Sequence, residues 1–190
     1  MNTTVVVRPV TETDADSLGR VHAACWHESY DHILSKAALS QLHPERLAQM
    51  WRRFSVQGPG YRHVVAELDG EIVGFVGVGP GREQGHETST ELYFLYVSPY
   101  YRRQGVGSAL MATADADYMW IWEGLKKTRK YYEKRQYKPD IVRATRGMGT
   151  RSRASKMFGA YHTEFKLMRP VVAATAAPTD ADEPVSEPAL

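Results

Sequence analysis

The sequence predicts a mixed α/β (α+β) fold, a single sheet with helices on both faces. Three observations predict it. Two apolar runs, residues 63–68 and 71–78, flank Asp69-Gly70, a pair that favours a two-residue hairpin turn because both positions tolerate positive φ. Residues 91–122 read as strand, glycine-bearing turn, helix and strand, an order that requires a parallel pair joined by a right-handed crossover. Between the first strand and the hairpin, apolar residues recur at helical rather than alternating spacing.

Taken in order, Thr4, Val5, Val6 and Val7 open a short strand that Pro9 stops, because proline has no N–H to give a ladder. Thr11, Glu12, Thr13 and Asp14 then supply side-chain oxygens for the unpaired N–H groups of a helix start. That helix is expected to reach about Tyr30, with Leu18, Val21, His22 and Cys25 toward one face. Leu39, Leu42, Leu47, Met50 and Trp51 predict a second amphipathic helix. The hairpin comes next and ends at Gly79-Pro80-Gly81. A strand over 91–97 closes at Ser98-Pro99, and a helix is expected from near Gln104 to about Asp117. A brief buried strand over 118–122, a basic helix over 125–135 and two weaker strands near 137–144 and 161–169 complete the order.

Of the 190 residues 43% are hydrophobic, enough for one packed core and too many for a wholly disordered chain. Residues 171–190 turn to Ala, Thr, Pro, Asp and Glu without periodicity, so a disordered acidic tail is expected after one domain over 1–170. No run of 18 apolar residues occurs, and the first residues have neither a basic flank nor a signal-like apolar stretch; a cytoplasmic protein without membrane contact is expected. The single cysteine, Cys25, excludes a disulfide framework and a cysteine-based zinc site. Charge is uneven: residues 1–98 hold eight Lys/Arg against twelve Asp/Glu, whereas residues 126–156 hold twelve against two. Such a basic segment is either a solvated face or a polyanion site. It lacks the interleaved aromatics and glycines of an RNA module, so no nucleic-acid partner is expected.

The most informative stretch runs from Leu95, Tyr96 and Val97 through Arg102, Arg103, Gln104, Gly105, Val106, Gly107 and Ser108. A strand ends, a basic turn follows, and glycines open a helix. The first N–H groups of a helix are unpaired and carry partial positive charge, and glycine lets a phosphate approach them. Glycines alone also suit an ordinary turn into a helix. Two other phosphate motifs fail: residues 77–82 lack the third glycine of a dinucleotide fingerprint, and no glycine-rich turn is followed by Gly-Lys-Ser/Thr.

Arg102-Arg103-Gln104-Gly105-Val106-Gly107 resembles the Gln/Arg-x-x-Gly-x-Gly/Ala signature of the GCN5-related N-acetyltransferase (GNAT) superfamily, and Tyr96-Val97-Ser98-Pro99 precedes it as in that family. Tyr131-Tyr132-Glu133 looks like the family's Phe-Tyr-Glu motif, and residues 25–30 and 69–75 are similar to bacterial members in matching places. The likeness spans roughly residues 4–170. It implies a mostly antiparallel sheet of six to seven strands, splayed at strands four and five, with acetyl-CoA in the cleft as co-substrate and no metal. The backbone of Leu95, Tyr96 and Val97 would bind the pantetheine arm, and N–H groups from Arg103 to Ser108 the pyrophosphate, with Arg102 at the rim. Tyr132 would protonate the departing sulfur; core packing beside Tyr131 is its other reading.

For the base, strand alternation puts Glu91, Tyr93, Leu95 and Val97 on one face, where the Glu91 carboxylate would order a water that takes the ammonium proton. A surface glutamate at a strand end is the equal alternative. His22, His27 and His63 are weaker candidates. Trp26 and Tyr30, four apart on the first helix, would wall the acceptor pocket or simply pack; Glu28 and Asp31 would draw in a cation or be solvated. Lys126, Lys127 and Lys130 would lie near the 3′-phosphate. The resemblance thus implies acetyl transfer to a primary amine of a small molecule, with a homodimer as an open expectation. Acetylation of protein N-termini, or a degenerate CoA-binding module, are the alternatives. Three residues depart from the pattern: Leu125 replaces an asparagine, Thr128 an alanine and Gln136 a glycine, and only twelve residues separate Gly107 from Trp120.

Overall fold

A computed structural model describes residues 4–83, 85–122, 124–146 and 162–169. Its strands are β1 (Val6–Pro9), β2 (Arg62–Leu68), β3 (Glu71–Pro80), β4 (Thr90–Val97), β5 (Tyr118–Trp122), β6 (Lys138–Arg146) and β7 (His162–Met168). Its helices are α1 (Ala15–Tyr30), α2 (Lys36–Leu39), α3 (Pro44–Phe54), α4 (Val106–Ala114) and α5 (Lys126–Glu133). The seven strands lie in the order β1-β2-β3-β4-β5-β7-β6, antiparallel except for the β4–β5 pair.

The predicted hairpin forms, with Asp69 at φ 51° and Gly70 at φ 80° in its turn. The strand over 118–122 forms as expected. Three expectations are corrected. The second helix divides into α2 and α3, because a residue before proline is disfavoured in α geometry: His43 is extended and Pro44 takes the first helical position. The helix expected over 104–117 has nine residues, bounded by left-handed Gly105 and Asp115. The basic helix spans Lys126–Glu133, starting after Leu125. The tail over 171–190, the segment 147–161 and the domain end at 170 lie outside the described residues.

Alternation splits the core into two layers. Val64, Ala66, Val76, Val78 and Leu92 pack with Val106, Leu110 and Ala114 of α4 and Tyr132 of α5. Val65 and Phe75 point the other way, onto Ala15 and Leu18 ahead of Trp51 of α3. A third cluster, Tyr30, Leu34, Ala38, Leu39 and Leu42, seals the end of α1 and touches Tyr96 and Trp122. Helices α1 and α3 meet so closely at Gly19 that a Cβ there would lie 2.4 Å from the Pro44 carbonyl oxygen.

Candidate active site

The sheet splits where its one parallel pair begins to diverge. β4 and β5 pair only at Glu91–Tyr118 and Leu92–Met119; β5 pairs with β7 along the whole of its other edge, and past Leu92 the β5-facing edge of β4 has no strand partner among the described residues. A cleft of about 1560 Å³ opens through the split, lined by Leu95, Tyr96, Val97, Gly105, Gly107, Ser108 and the basic side of α5.

At the α4 end the backbone forms an anion cradle. Arg103 at φ 66° and Gly105 at φ 84° turn the chain, and nothing lies within 4 Å of where a Gly105 Cβ would point. Ser108 N–H donates to the Gly105 carbonyl, whereas the N–H groups of residues 103–107 have no acceptor among the described residues. Five unpaired donors at a helix start suit a diphosphate. The expected donor set therefore loses Ser108, whose N–H is used within the first helical turn. Arg135 holds the Ser108 hydroxyl at 2.8 Å and lies 3.7 Å over the Tyr131 ring, while the Tyr131 hydroxyl donates to the Gly107 carbonyl at 2.8 Å. These bonds fasten α5 to the cradle. Val106 faces the other way, into the core.

Arg102 is placed differently from expectation. Its guanidinium grips both Glu28 oxygens, at 2.7 and 2.5 Å, and its Nε donates to the Val97 carbonyl. It bridges α1 to the end of β4, and the Arg102 pairing lowers the Glu28 carboxyl below its ordinary range. Glu28 is thus an ion-pair partner on an exposed helix end. Gln104 reaches back to the Tyr100 carbonyl. Lys126, Lys127 and Lys130 line the cleft, as does Arg103.

Tyr132 lies at the cleft floor, 5% exposed and packed in the main core, with no hydrogen bond to its hydroxyl among the described residues. Burial drives its pKa upward, with neighbouring Tyr131 and Tyr30 adding to the effect. The phenol is protonated throughout the physiological range. Near it, the Tyr30 and Tyr96 hydroxyls share a hydrogen bond of 2.8 Å, and burial raises Tyr96 as well.

Glu91 lines the cleft, but two features of its expected setting are overturned. The β3–β4 register shifts between Gly77 and Val78, which pair with Phe94 and Leu92, so Tyr93 is a bulge. Counting by twos across it fails: Leu92, Leu95 and Val97 join one core layer, Phe94 and Tyr96 the other, and Glu91, next to Leu92, is off the Leu95 face. Nor is Glu91 a surface residue, at 2% exposed. Arg82 donates to it from N, Nε and Nη2, at 2.9, 3.1 and 2.5 Å, and the Tyr118 hydroxyl adds a fourth bond at 3.1 Å. Three of these donors fall on Oε2, and Oε1 accepts from Arg82 Nη2 alone.

His22 and His63 are poor bases here. Burial lowers His22 to about 3, and burial also lowers His63. Among the described residues no group of three or more His, Cys, Asp and Glu is placed to hold a metal ion. Trp26 and Tyr30 do line the cleft, together with Phe94, Trp120 and Trp122. Sequence reading did not find Arg82, Trp122 or the Tyr96 ring. The alternation of β5 could have exposed Trp120 and Trp122 together; nothing local pairs Arg82 with Glu91.

Comparisons with known proteins agree with this geometry. Residues 59–139 match the family profile described as an acetyltransferase (GNAT) domain. The chain is 30% identical over 108 residues to the uncharacterized N-acetyltransferase YuaI of Bacillus subtilis (strain 168), covering 57% of this chain. The match spans 61% of the length of that curated relative. In structure the chain is similar to the PaiA N-acetyltransferase of Thermoplasma acidophilum, solved in complex with coenzyme A. That likeness has a TM-score of 0.66 at 15% identity, covering 87% of this chain and 99% of that one. It is also similar to an acetyltransferase of the GNAT family from Streptococcus pneumoniae, with a TM-score of 0.57 at 14% identity, covering 86% and 98%.

Proposed function

We propose, on the match of residues 59–139 to the acetyltransferase (GNAT) domain profile, that the chain belongs to the GCN5-related N-acetyltransferase (GNAT) superfamily and transfers the acetyl group of acetyl-CoA directly to a primary amine of a small molecule. One observation carries the reading: five unpaired N–H groups at residues 103–107 sit at the mouth of the β4–β5 split. The cradle fits a pyrophosphate, the lysines of α5 fit a further phosphate, and the unpaired edge of β4 fits an amide-bearing arm.

In this reading the amine nitrogen attacks the thioester carbon, the C–N bond forms, the C–S bond breaks, and the sulfur takes a proton from Tyr132. The phenol then recovers a proton from solvent, and the nitrogen releases one to it. Burial raises Tyr132 and disfavours a thiolate in the same cleft in the same sense, so both favour the neutral phenol and the neutral thiol. Glu91 is a positioning residue for Arg82 in this scheme, held by three Arg82 donors and the Tyr118 hydroxyl. With Glu91 held by Arg82 and Tyr118, and His22 and His63 lowered by burial, the acceptor reacts in this scheme as the neutral amine it carries in from solution.

Calorimetric titration with acetyl-CoA tests the reading. Binding heat at or below about 1 mM, the upper end of ordinary substrate affinities, is expected, and its absence overturns the proposal. Tyr132→Phe should bind acetyl-CoA unchanged while kcat falls by roughly 10²-fold or more, the usual weight of a general acid. Equal turnover across the pH range would assign the proton to another group.

A further inference from the structure

Helix α5 carries the proposed acid on a light anchorage. Within Lys126–Glu133 only Tyr132 is fully buried, and the Tyr132 hydroxyl has no hydrogen bond among the described residues. An element with few buried contacts is cheap to shift. The bonds that tie it to α4 therefore set where the phenol stands. The Tyr131 hydroxyl donates to the Gly107 carbonyl at 2.8 Å, and its ring meets the Tyr132 ring edge-on, 5.2 Å between centroids. Arg135, in the turn after α5, lies 3.7 Å over the Tyr131 ring and donates to the Tyr131 carbonyl at 3.2 Å. It also donates to the Ser108 hydroxyl at 2.8 Å, in the first turn of α4.

Arg135 is a cation without a counter-charge. Arg82 and Arg102 line the same cleft and grip Glu91 and Glu28. Arg135 has a ring, a carbonyl and a hydroxyl, and no carboxylate in ion-pair reach among the described residues. The nearest acid in sequence, Glu133, pairs instead with Arg129 at 2.7 Å. A guanidinium has five N–H donors in a planar fork that suits phosphate oxygens, so donors remain for an anion in the cleft.

We propose, resting on the acetyl-transfer reading above, that Arg135 takes an oxygen of the donor's diphosphate, and that Arg135 and Tyr131 are positioning residues that pass this occupation on to Tyr132. The anion draws the guanidinium toward α4, the Tyr131 ring beneath it follows, and α5 settles with the phenol set for the sulfur. A ligand shifts such a balance only by binding one arrangement better, and the bond from Arg135 to phosphate supplies that difference.

The test uses the full chain with Tyr132 replaced by 3-fluorotyrosine, fluorine NMR, and ADP as the probe. ADP has the diphosphate and no pantetheine arm to touch the phenol, so any effect on residue 132 passes through the protein. The fluorine resonance should move as ADP saturates the chain, with the midpoint that calorimetry gives. Arg135→Gln should weaken ADP by about tenfold or more, the ordinary weight of a charge-assisted hydrogen bond. Tyr131→Phe keeps the ring and removes one hydroxyl; it should retain the heat of ADP binding and lose most of the movement. A Tyr131 that only supports the fold would leave the movement intact in that variant, and this result overturns the proposal. A stationary resonance beside ADP heat, or unchanged ADP affinity in Arg135→Gln, overturns it too, and acetyl transfer stands. So does an absence of ADP heat where acetyl-CoA binds normally. If acetyl-CoA itself gives no heat, both readings fall together.

Discussion

Asp14 shows how one side chain joins several elements. It accepts from both Arg8 nitrogens, at 2.7 and 2.8 Å, and from the Thr11 N–H and hydroxyl, so β1 is tied to the start of α1. The Arg8 hydrogen bonds, against the opposing effect of burial, lower its pKa to about 2. A depressed carboxyl contributes stability above its unfolded value and loses it as pH falls through the folded value. From pH 4 downward the contribution should therefore fade, with most of it lost by pH 2. The shift corresponds to about 2 kcal/mol. Asp14→Asn should lower unfolding free energy by roughly that amount at pH 7, and the gap from wild type should close in denaturant titrations run at pH 2. A gap unchanged between the two pH values would mean that Asp14 acts through packing alone.

At the scale of elements, what the sequence made legible followed from local rules. The Asp69-Gly70 turn, the strand over 118–122 and the glycine-opened helix at 106 each rest on residues within a few positions of one another. The β4 bulge was not legible, because alternation counts faces only while the ladder is regular, and the extra residue at Tyr93 is imposed by β3 across the sheet. The Glu91–Arg82 pairing was hidden for the same reason: nine positions apart on β4 and the preceding loop, the two meet only once the loop folds back. The turn after α5 was legible in its cost. Gln136 takes φ 69°, the left-handed geometry expected where a glycine would ordinarily end the helix. Its side chain is exposed, so glycine there would relieve strain without opening a cavity. Gln136→Gly should raise stability by about 1 kcal/mol, read as a higher denaturant midpoint with unchanged slope. A lower midpoint would mean that the Gln side chain contributes more than the strain costs.

At the scale of the whole molecule, the β4–β5 contact is where the fold is thinnest. Two ladder pairs join the sheet half carrying β1–β4 to the half carrying β5, β7 and β6, helped by the Thr90–Asp117 and Tyr118–Glu91 bonds, by the shared core, and by the bonds of Tyr131 and Arg135 to the cradle region. A ligand seated in the split touches both halves, so its binding free energy is added to the contact that most needs it. Acetyl-CoA at 100 times its dissociation constant should contribute about 2.7 kcal/mol. For a chain of this length that corresponds to a rise in thermal midpoint of roughly 5–10 °C. Gly105→Val separates this linkage from a general salt effect. Valine at φ 84° is strained and places its branches beside the open N–H groups, so the variant should melt lower without ligand and lose most of the ligand-induced rise. A full rise in Gly105→Val would place the diphosphate elsewhere on the molecule. A rise equalled by inorganic pyrophosphate alone would show that the cradle binds the anion without drawing on the β4 edge, and that the two halves of the sheet are not bridged.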